Sequence, residues 1–208
     1  MINTQRKTAL ALILSTLTAS TTAAADWSAN IGWASDYYYR GLFQATSSAS
    51  GGLDYQKNGF YAGSWAADVA DGLEIDGYFG YAKEFGGVDV GIGFTGYYYS
   101  GDFDDTYEEI NLNSGYGIAS LDVALGQYKN FDGETQDYAW YALTLEKNGF
   151  YGRIASFDRD FNGEYLELGY DFSLSEIDLG FKAILTNEDL TGTAEESLVF
   201  TIGKSFDF

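Results

Sequence analysis

Apolar and polar side chains alternate along most of this chain, and a period of two is the signature of a strand with two different faces. The clearest run is Val88-Asp89-Val90-Gly91-Ile92-Gly93-Phe94-Thr95-Gly96-Tyr97-Tyr98. Val88, Val90, Ile92, Phe94 and Tyr98 fall on one face, and Asp89, Gly91, Gly93, Thr95 and Tyr97 on the other. The last residues obey the same rule, with Leu198, Phe200, Ile202, Phe206 and Phe208 opposite Thr201, Gly203, Ser205 and Asp207. Similar alternation fills 73–85, 121–128, 139–145, 166–172 and 177–185, and no helical stripe follows residue 25. The chain has no proline, which suits long strands that use every backbone donor.

The phrase KNGFY occurs twice, at 57–61 and 147–151. Asn-Gly between alternating runs signals a tight hairpin, because a type I′ turn needs positive φ at both central residues. Counting breaks predicts about twelve strands. Short connections are expected near 57–59, 86–87, 117–120, 147–149 and 173–175, and longer ones near 40–48, 69–72, 100–105, 130–137, 159–163 and 186–196. Short turns on one side and longer loops on the other, with an even strand count, predict an all-β, antiparallel up-and-down transmembrane barrel. The two KNGFY copies then occupy corresponding turns in the two halves, consistent with a duplicated hairpin array or with convergence on a good turn sequence.

A soluble sandwich also alternates, so the environment of each face matters. In a membrane barrel the apolar face meets lipid and the small polar face lines the interior. The 26 glycines, many on the polar faces, suit a crowded interior. Tyr37-Tyr38-Tyr39 and Tyr97-Tyr98-Tyr99 at strand ends are expected to form interfacial girdles.

Arg6 and Lys7 precede the apolar run Ala9 to Leu14, and Ala23-Ala24-Ala25 follows. This reads as a secretory leader over 1–25, cut before Asp26, with residues 26–208 forming the barrel. Without Arg6 and Lys7, 9 of the 11 basic residues remain against 31 acidic ones, a net charge of −22. Such a surface attracts cations and repels nucleic acid. There is no cysteine, so the exported chain is stabilised without disulfides. The final aromatic-rich strand, with Phe200, Ile202, Phe206 and Phe208 on one face, resembles the C-terminal signal read by the barrel-assembly machinery. Lys204 departs from that pattern, and its stem is expected to snorkel to the interface.

The absence of histidine and cysteine removes Ser-His and Cys-His catalytic pairs and the usual zinc ligands, so no enzyme and no bound cofactor is expected. Acidic residues concentrate in the expected loops and adjoining strand ends. They include Asp68, Asp71, Glu74 and Asp76; Asp102, Asp104, Asp105, Glu108 and Glu109; Asp132, Glu134 and Asp137; and Glu195 and Glu196. An outer acidic vestibule of this kind concentrates cations, while a solvated, aggregation-resistant rim looks the same in sequence. Asp158, Asp160 and Asn162 match the first half of a calcium loop, but the place of the acid at position 12 is taken by Gly169, so a plain hairpin loop with an αL-tolerant Asn-Gly is expected, with weak divalent binding as the alternative. On the polar faces, Arg153, Glu167, Asp178 and Lys182 are candidates for an ionic cluster across the lumen, serving either as a selectivity constriction or as a plug.

The stretch 30–41, Asn-Ile-Gly-Trp-Ala-Ser-Asp-Tyr-Tyr-Tyr-Arg-Gly, resembles the opening of the proteobacterial TorF family of porin-like proteins. Gly51-Gly52-Leu53-Asp54-Tyr55 and Gly59 to Trp65 are similar to that family's next landmarks. The likeness covers roughly residues 27 to 66 and implies an outer-membrane barrel with a pore. The expected function is passive diffusion of small hydrophilic solutes with a preference for cations. The alternative is a non-conducting barrel whose loops bind divalent cations, lipopolysaccharide or a partner.

Overall fold

The alternating strands close on themselves. The computed structural model describes residues 26–208, and the expected leader over 1–25 lies outside the described residues. Twelve antiparallel strands form a closed barrel in which each pairs with its sequence neighbours and β1 returns to β12. They are β1 (Asp26–Tyr39), β2 (Leu42–Lys57), β3 (Phe60–Val69), β4 (Gly72–Phe85), β5 (Val88–Ser100) and β6 (Tyr107–Tyr116), followed by β7 (Ala119–Tyr128), β8 (Gln136–Lys147), β9 (Phe150–Arg159), β10 (Glu164–Leu174), β11 (Ile177–Thr186) and β12 (Glu195–Asp207). One short helix, α1 (Glu188–Thr191), lies between β11 and β12. Closure matters because a lipid-facing strand edge would leave backbone donors and acceptors with no partner. It runs through seven pairs, from Ser28 opposite Asp207 to Ala34 opposite Thr201. The Phe208 amide adds a bond to the Trp27 carbonyl at 2.9 Å.

All five connections at the end carrying the termini are two residues long. Both KNGFY copies turn there with the expected geometry: φ is 51° at Asn58 and 88° at Gly59, and 55° at Asn148 and 83° at Gly149. The opposite, loop end is less extended than the sequence suggests. Arg40–Gly41 and the residues 70–71 are also two-residue turns, so the long loops expected over 40–48 and 69–72 do not exist. The sequence pattern is broken there because β2 carries a bulge: Tyr37 pairs with Ala45 but Tyr38 with Phe43, skipping Gln44. One extra residue flips the alternation and bends the strand. The remaining loops cover 101–106, 129–135, 160–163 and 187–194.

The outside is apolar. Ile31, Phe79, Ile92, Ile154 and Phe181 are all more than half exposed. These are the outward partners of the alternation, and an exposed aliphatic and aromatic belt on a closed barrel is a surface for lipid. Aromatics on β11, β12 and β1 interlock along it, with Phe181 and Phe200 centroids 5.0 Å apart and Trp33 and Phe200 6.4 Å apart. Lys204 sits at the turn end, its ammonium 3.2 Å from Glu176 and over the Phe206 ring, which is how a charge on the lipid face reaches polar surroundings.

The inside is polar and close-packed, and the glycines explain how. Tyrosine rings lie flat over inward glycines of the adjacent strand. A Cβ on Gly126 would come within 2.3 Å of the Tyr138 ring, and one on Gly169 within 2.3 Å of the Tyr151 ring. Glycine thus makes room for a ring that fills space within the barrel. The tyrosine triplets also turn mostly inward rather than forming girdles. Tyr37 and Tyr97 are buried inside, Tyr39 and Tyr99 point the same way, Tyr38 packs against the buried Ala34, Ile184 and Val199, and only Tyr98 is exposed.

Candidate site in the barrel interior

The loop-end half of the interior is organised around Arg40. The turn it occupies leans into the barrel, since a Cβ on Gly41 would meet the Tyr165 ring at 2.9 Å and Leu190 at 3.0 Å. Gly41, at φ 83°, has the one side chain that fits. Arg40 itself holds φ 49°, a conformation non-glycine residues enter at a cost, and its side chain compensates with specific bonds. Its two terminal nitrogens donate to both oxygens of Glu109 on β6, at 2.8 and 2.7 Å. The guanidinium also lies 4.3 Å from the Trp140 ring centroid and 4.9 Å from that of Tyr39.

Glu109 is the acceptor hub of this layer. Tyr97 and Tyr138 each donate to it at 2.8 Å, and Asn111 donates at 2.7 Å while accepting from Thr95 at 2.8 Å. A planar guanidinium forked onto a carboxylate with three further donors is the geometry that compensates for taking both charges out of water. Around it, Tyr138, Trp140, Phe157 and Tyr165 form a buried apolar cluster, joined by Tyr107 at the start of β6, Phe161 of the 160–163 loop and Leu190 of α1. On the other side Tyr37, Ala67 and Val69 pack with Tyr39, Trp65, Tyr99 and Phe103. The loops therefore fold inward and help close the barrel.

Next to this pair, β4 presents Glu74 and Asp76 inward, both buried. Tyr37 donates to one oxygen of Glu74 at 2.7 Å. The other Glu74 oxygen and one oxygen of Asp76 have no hydrogen-bond partner among the described residues. Glu74, Asp76 and Glu109 are thus interior residues, not members of the rim to which their positions near strand ends assign them. Arg40 belongs with them, and its signal in the sequence is the Arg-Gly dipeptide between two alternating runs, which reads as a tight turn.

Of the lumen candidates, Arg153, Glu167 and Lys182 do converge. Arg153 and Glu167 are directly paired across β9 and β10, and the Lys182 ammonium lies 3.6 Å from Glu167. Tyr151 donates to Glu167 at 2.7 Å, and Arg153 donates to Thr144 at 3.0 Å. Asp178 stands apart at the turn end, accepting from Ser173 at 2.5 Å. Towards that end the inward residues are half-buried: Asp54, which accepts from Tyr78, and Asp89, Asn113 and Asp171 line a roomier polar region.

The expected vestibule splits. Asp102, Asp132, Glu134, Glu195 and Glu196 are exposed at the loop end. Asp104 and Asp105 instead tie loops together. Asp104 accepts from Tyr107 at 2.9 Å and Tyr128 at 2.8 Å, and Asp105 from the Phe131 amide at 2.6 Å. Glu108 faces outward, 3.4 Å from Lys129. In the calcium-like loop, Asp158 accepts from the Arg159 amide and Asp160 from the Asp137 amide, each at 2.8 Å, while Asn162 is exposed. No group of three acidic side chains close enough to hold a metal ion occurs among the described residues. At the C-terminal end, Phe200, Ile202, Phe206 and Phe208 all lie on the outer face.

A family model described as "Bacterial protein of unknown function (Gcw_chp)" matches residues 18–206. No curated protein matches the sequence. Among solved structures, one reported under "Unveiling the Mechanism Behind the in-meso Crystallization of Membrane Proteins" aligns with a TM-score of 0.60 at 10% identity, over 88% of this chain and 84% of the other. That likeness is one of fold. Pseudomonas aeruginosa OccK2 (OpdF) aligns with a TM-score of 0.44 at 12% identity, over 91% of this chain and 69% of its own. A Rhodopseudomonas blastica porin aligns with a TM-score of 0.43 at 11% identity over 77% of this chain, which spans 55% of that porin's length.

Proposed function

The chain belongs to the Gcw_chp family of bacterial proteins, and from its barrel we propose a porin-like, non-enzymatic channel of the bacterial outer membrane, passing small hydrophilic solutes with a preference for cations. The observation that carries this reading is the contrast between an apolar outside and a polar inside that holds Glu74, Asp76, Glu109, Asp122 and Glu167 against Arg40, Arg153 and Lys182. An interior with more carboxylates than cations lowers the energy of a permeating cation and raises that of an anion. The exposed acids at the loop end, Asp102, Asp132, Glu134, Glu195 and Glu196, add to the same field. The likeness of residues 27–66 to the TorF family supports a pore. An exported protein with a cleaved leader, whose terminal aromatic face is read by the assembly machinery, accords with this location.

The Arg40–Glu109 layer sets the size limit. Tyr97, Tyr138, Trp140 and Glu109 are each at most 3% exposed, so the loop end passes inorganic ions in preference to sugars. Flux from proteoliposomes tests this: potassium efflux should exceed chloride efflux, and both should exceed pentose uptake. Equal, negligible flux of all three contradicts it.

The same burial favours a second reading, a non-conducting barrel that presents its acidic loops to divalent cations or lipopolysaccharide. Calcium-dependent binding of lipopolysaccharide by a barrel that passes no ions would select it.

A further inference from the structure

Three buried carboxylates share the loop-end layer with one guanidinium. Arg40 is committed to Glu109 through both terminal nitrogens. Glu109 is in turn saturated by Tyr97, Tyr138 and Asn111. Glu74 and Asp76 have no cation of their own in this layer, and each is at most 4% exposed. They stand two residues apart on one face of β4, close enough to repel each other, and Asp76 also feels Glu109. Each aims a carboxylate oxygen that finds no donor among the described residues. An unpaired charge buried in this way costs several kcal/mol unless a cation or a proton joins it.

We propose that Glu74 and Asp76 form a binding site for a small monovalent inorganic cation inside the barrel. The inference rests on the reading above only in that cations must be able to enter the interior. Tyr37 donates to Glu74 at 2.7 Å, so one oxygen is held by a neutral donor and the other is left for an ion. The tyrosine-lined wall of Tyr37, Tyr97 and Tyr99 supplies hydroxyls and ring faces but no competing base. A singly charged ion balances one of the two carboxylates, and a proton on the other carboxyl group balances the second. A calcium ion takes six to eight oxygens, and no third acidic group converges here. Nearer the turn end the half-buried Asp54, Asp89 and Asp171 raise the local concentration of cations inside the barrel.

The test is anomalous diffraction from crystals of the refolded mature barrel grown without potassium or sodium and soaked in thallium(I), a potassium mimic. A peak between the Glu74 and Asp76 carboxylates is expected, with occupancy falling at least tenfold in Glu74→Gln/Asp76→Asn. Should the double variant not refold, Asp76→Asn alone leaves the Tyr37 bond intact and should cut occupancy severalfold. Wild-type crystals with no density at that position, or a peak unchanged in the variants, overturn the proposal; in the first case protons alone balance the charge. Conductance is measured separately, so a bound ion in a barrel that carries no current leaves the site standing and removes the channel reading, while current without bound thallium does the reverse.

Discussion

Arg40, in the first hairpin turn, and Glu109, on the sixth strand, meet through two parallel hydrogen bonds of 2.8 and 2.7 Å inside the barrel. The pair ties one wall to another and fixes how far the turn leans in. Its energetics follow from burial. Removing one partner leaves the other charged and dry, which costs about 3–5 kcal/mol, whereas removing both with apolar replacements costs far less. Arg40→Ala and Glu109→Gln should each lower the urea midpoint of the micelle-folded barrel strongly, and Arg40→Met/Glu109→Leu should recover much of the loss. Additive losses in the double variant would show that the two residues act independently.

The repeated KNGFY turns are equivalent in geometry, so they should be equivalent in sensitivity. A Cβ on Gly59 would meet the Ala82 carbonyl oxygen at 2.5 Å, and one on Gly149 that of Asp171 at 2.3 Å, both at positive φ. Gly59→Ala and Gly149→Ala are each expected to destabilise by roughly 1–3 kcal/mol in urea titrations. Loss at one site only would mean that the turns differ in their contribution to stability.

Tryptophan positions report which surface meets lipid. Trp27 and Trp33 are exposed on the outside, while Trp140 is buried within and Trp65 packs against the inward Tyr37. Single-tryptophan variants in vesicles containing brominated lipid should be quenched at Trp27 and Trp33 and spared at Trp65 and Trp140. The opposite pattern would turn the barrel inside out and remove its membrane assignment.

Glu167 holds the interior's second ionic cluster, with Lys182 at 3.6 Å and Arg153 paired across the strands. Glu167→Ala leaves two cations facing the lumen. The reversal potential in a salt gradient should shift towards anions, and cation selectivity unchanged within error would place the filter elsewhere.

The strand pattern carried the fold because a closed barrel needs little beyond alternation and turn chemistry, and Asn58-Gly59 and Asn148-Gly149 supply both. The interior was harder to read for a physical reason. Alternation shows which residues point inward but not how deep they lie or what they meet across the lumen. Glu74, Asp76 and Glu109 therefore read as rim residues. Arg40 was hidden by the bulge at Gln44, which interrupts the alternation and makes a tight turn resemble a loop. The tyrosine triplets misled similarly: a tyrosine at a strand end suits an interface, but Tyr37, Tyr39, Tyr97 and Tyr99 pack inside against one another and onto Glu74 and Glu109. Where two partners are adjacent in register, as with Glu167 and Lys182, the sequence sufficed, since β10 and β11 are joined by a two-residue turn.

The most direct measurement is single-channel current from the refolded mature barrel in a planar bilayer across a potassium chloride gradient. Small, discrete, cation-selective steps are expected, growing several-fold when Arg40→Ala/Glu109→Ala opens the loop-end layer. A folded, heat-modifiable barrel that carries no current in either form would contradict the channel reading.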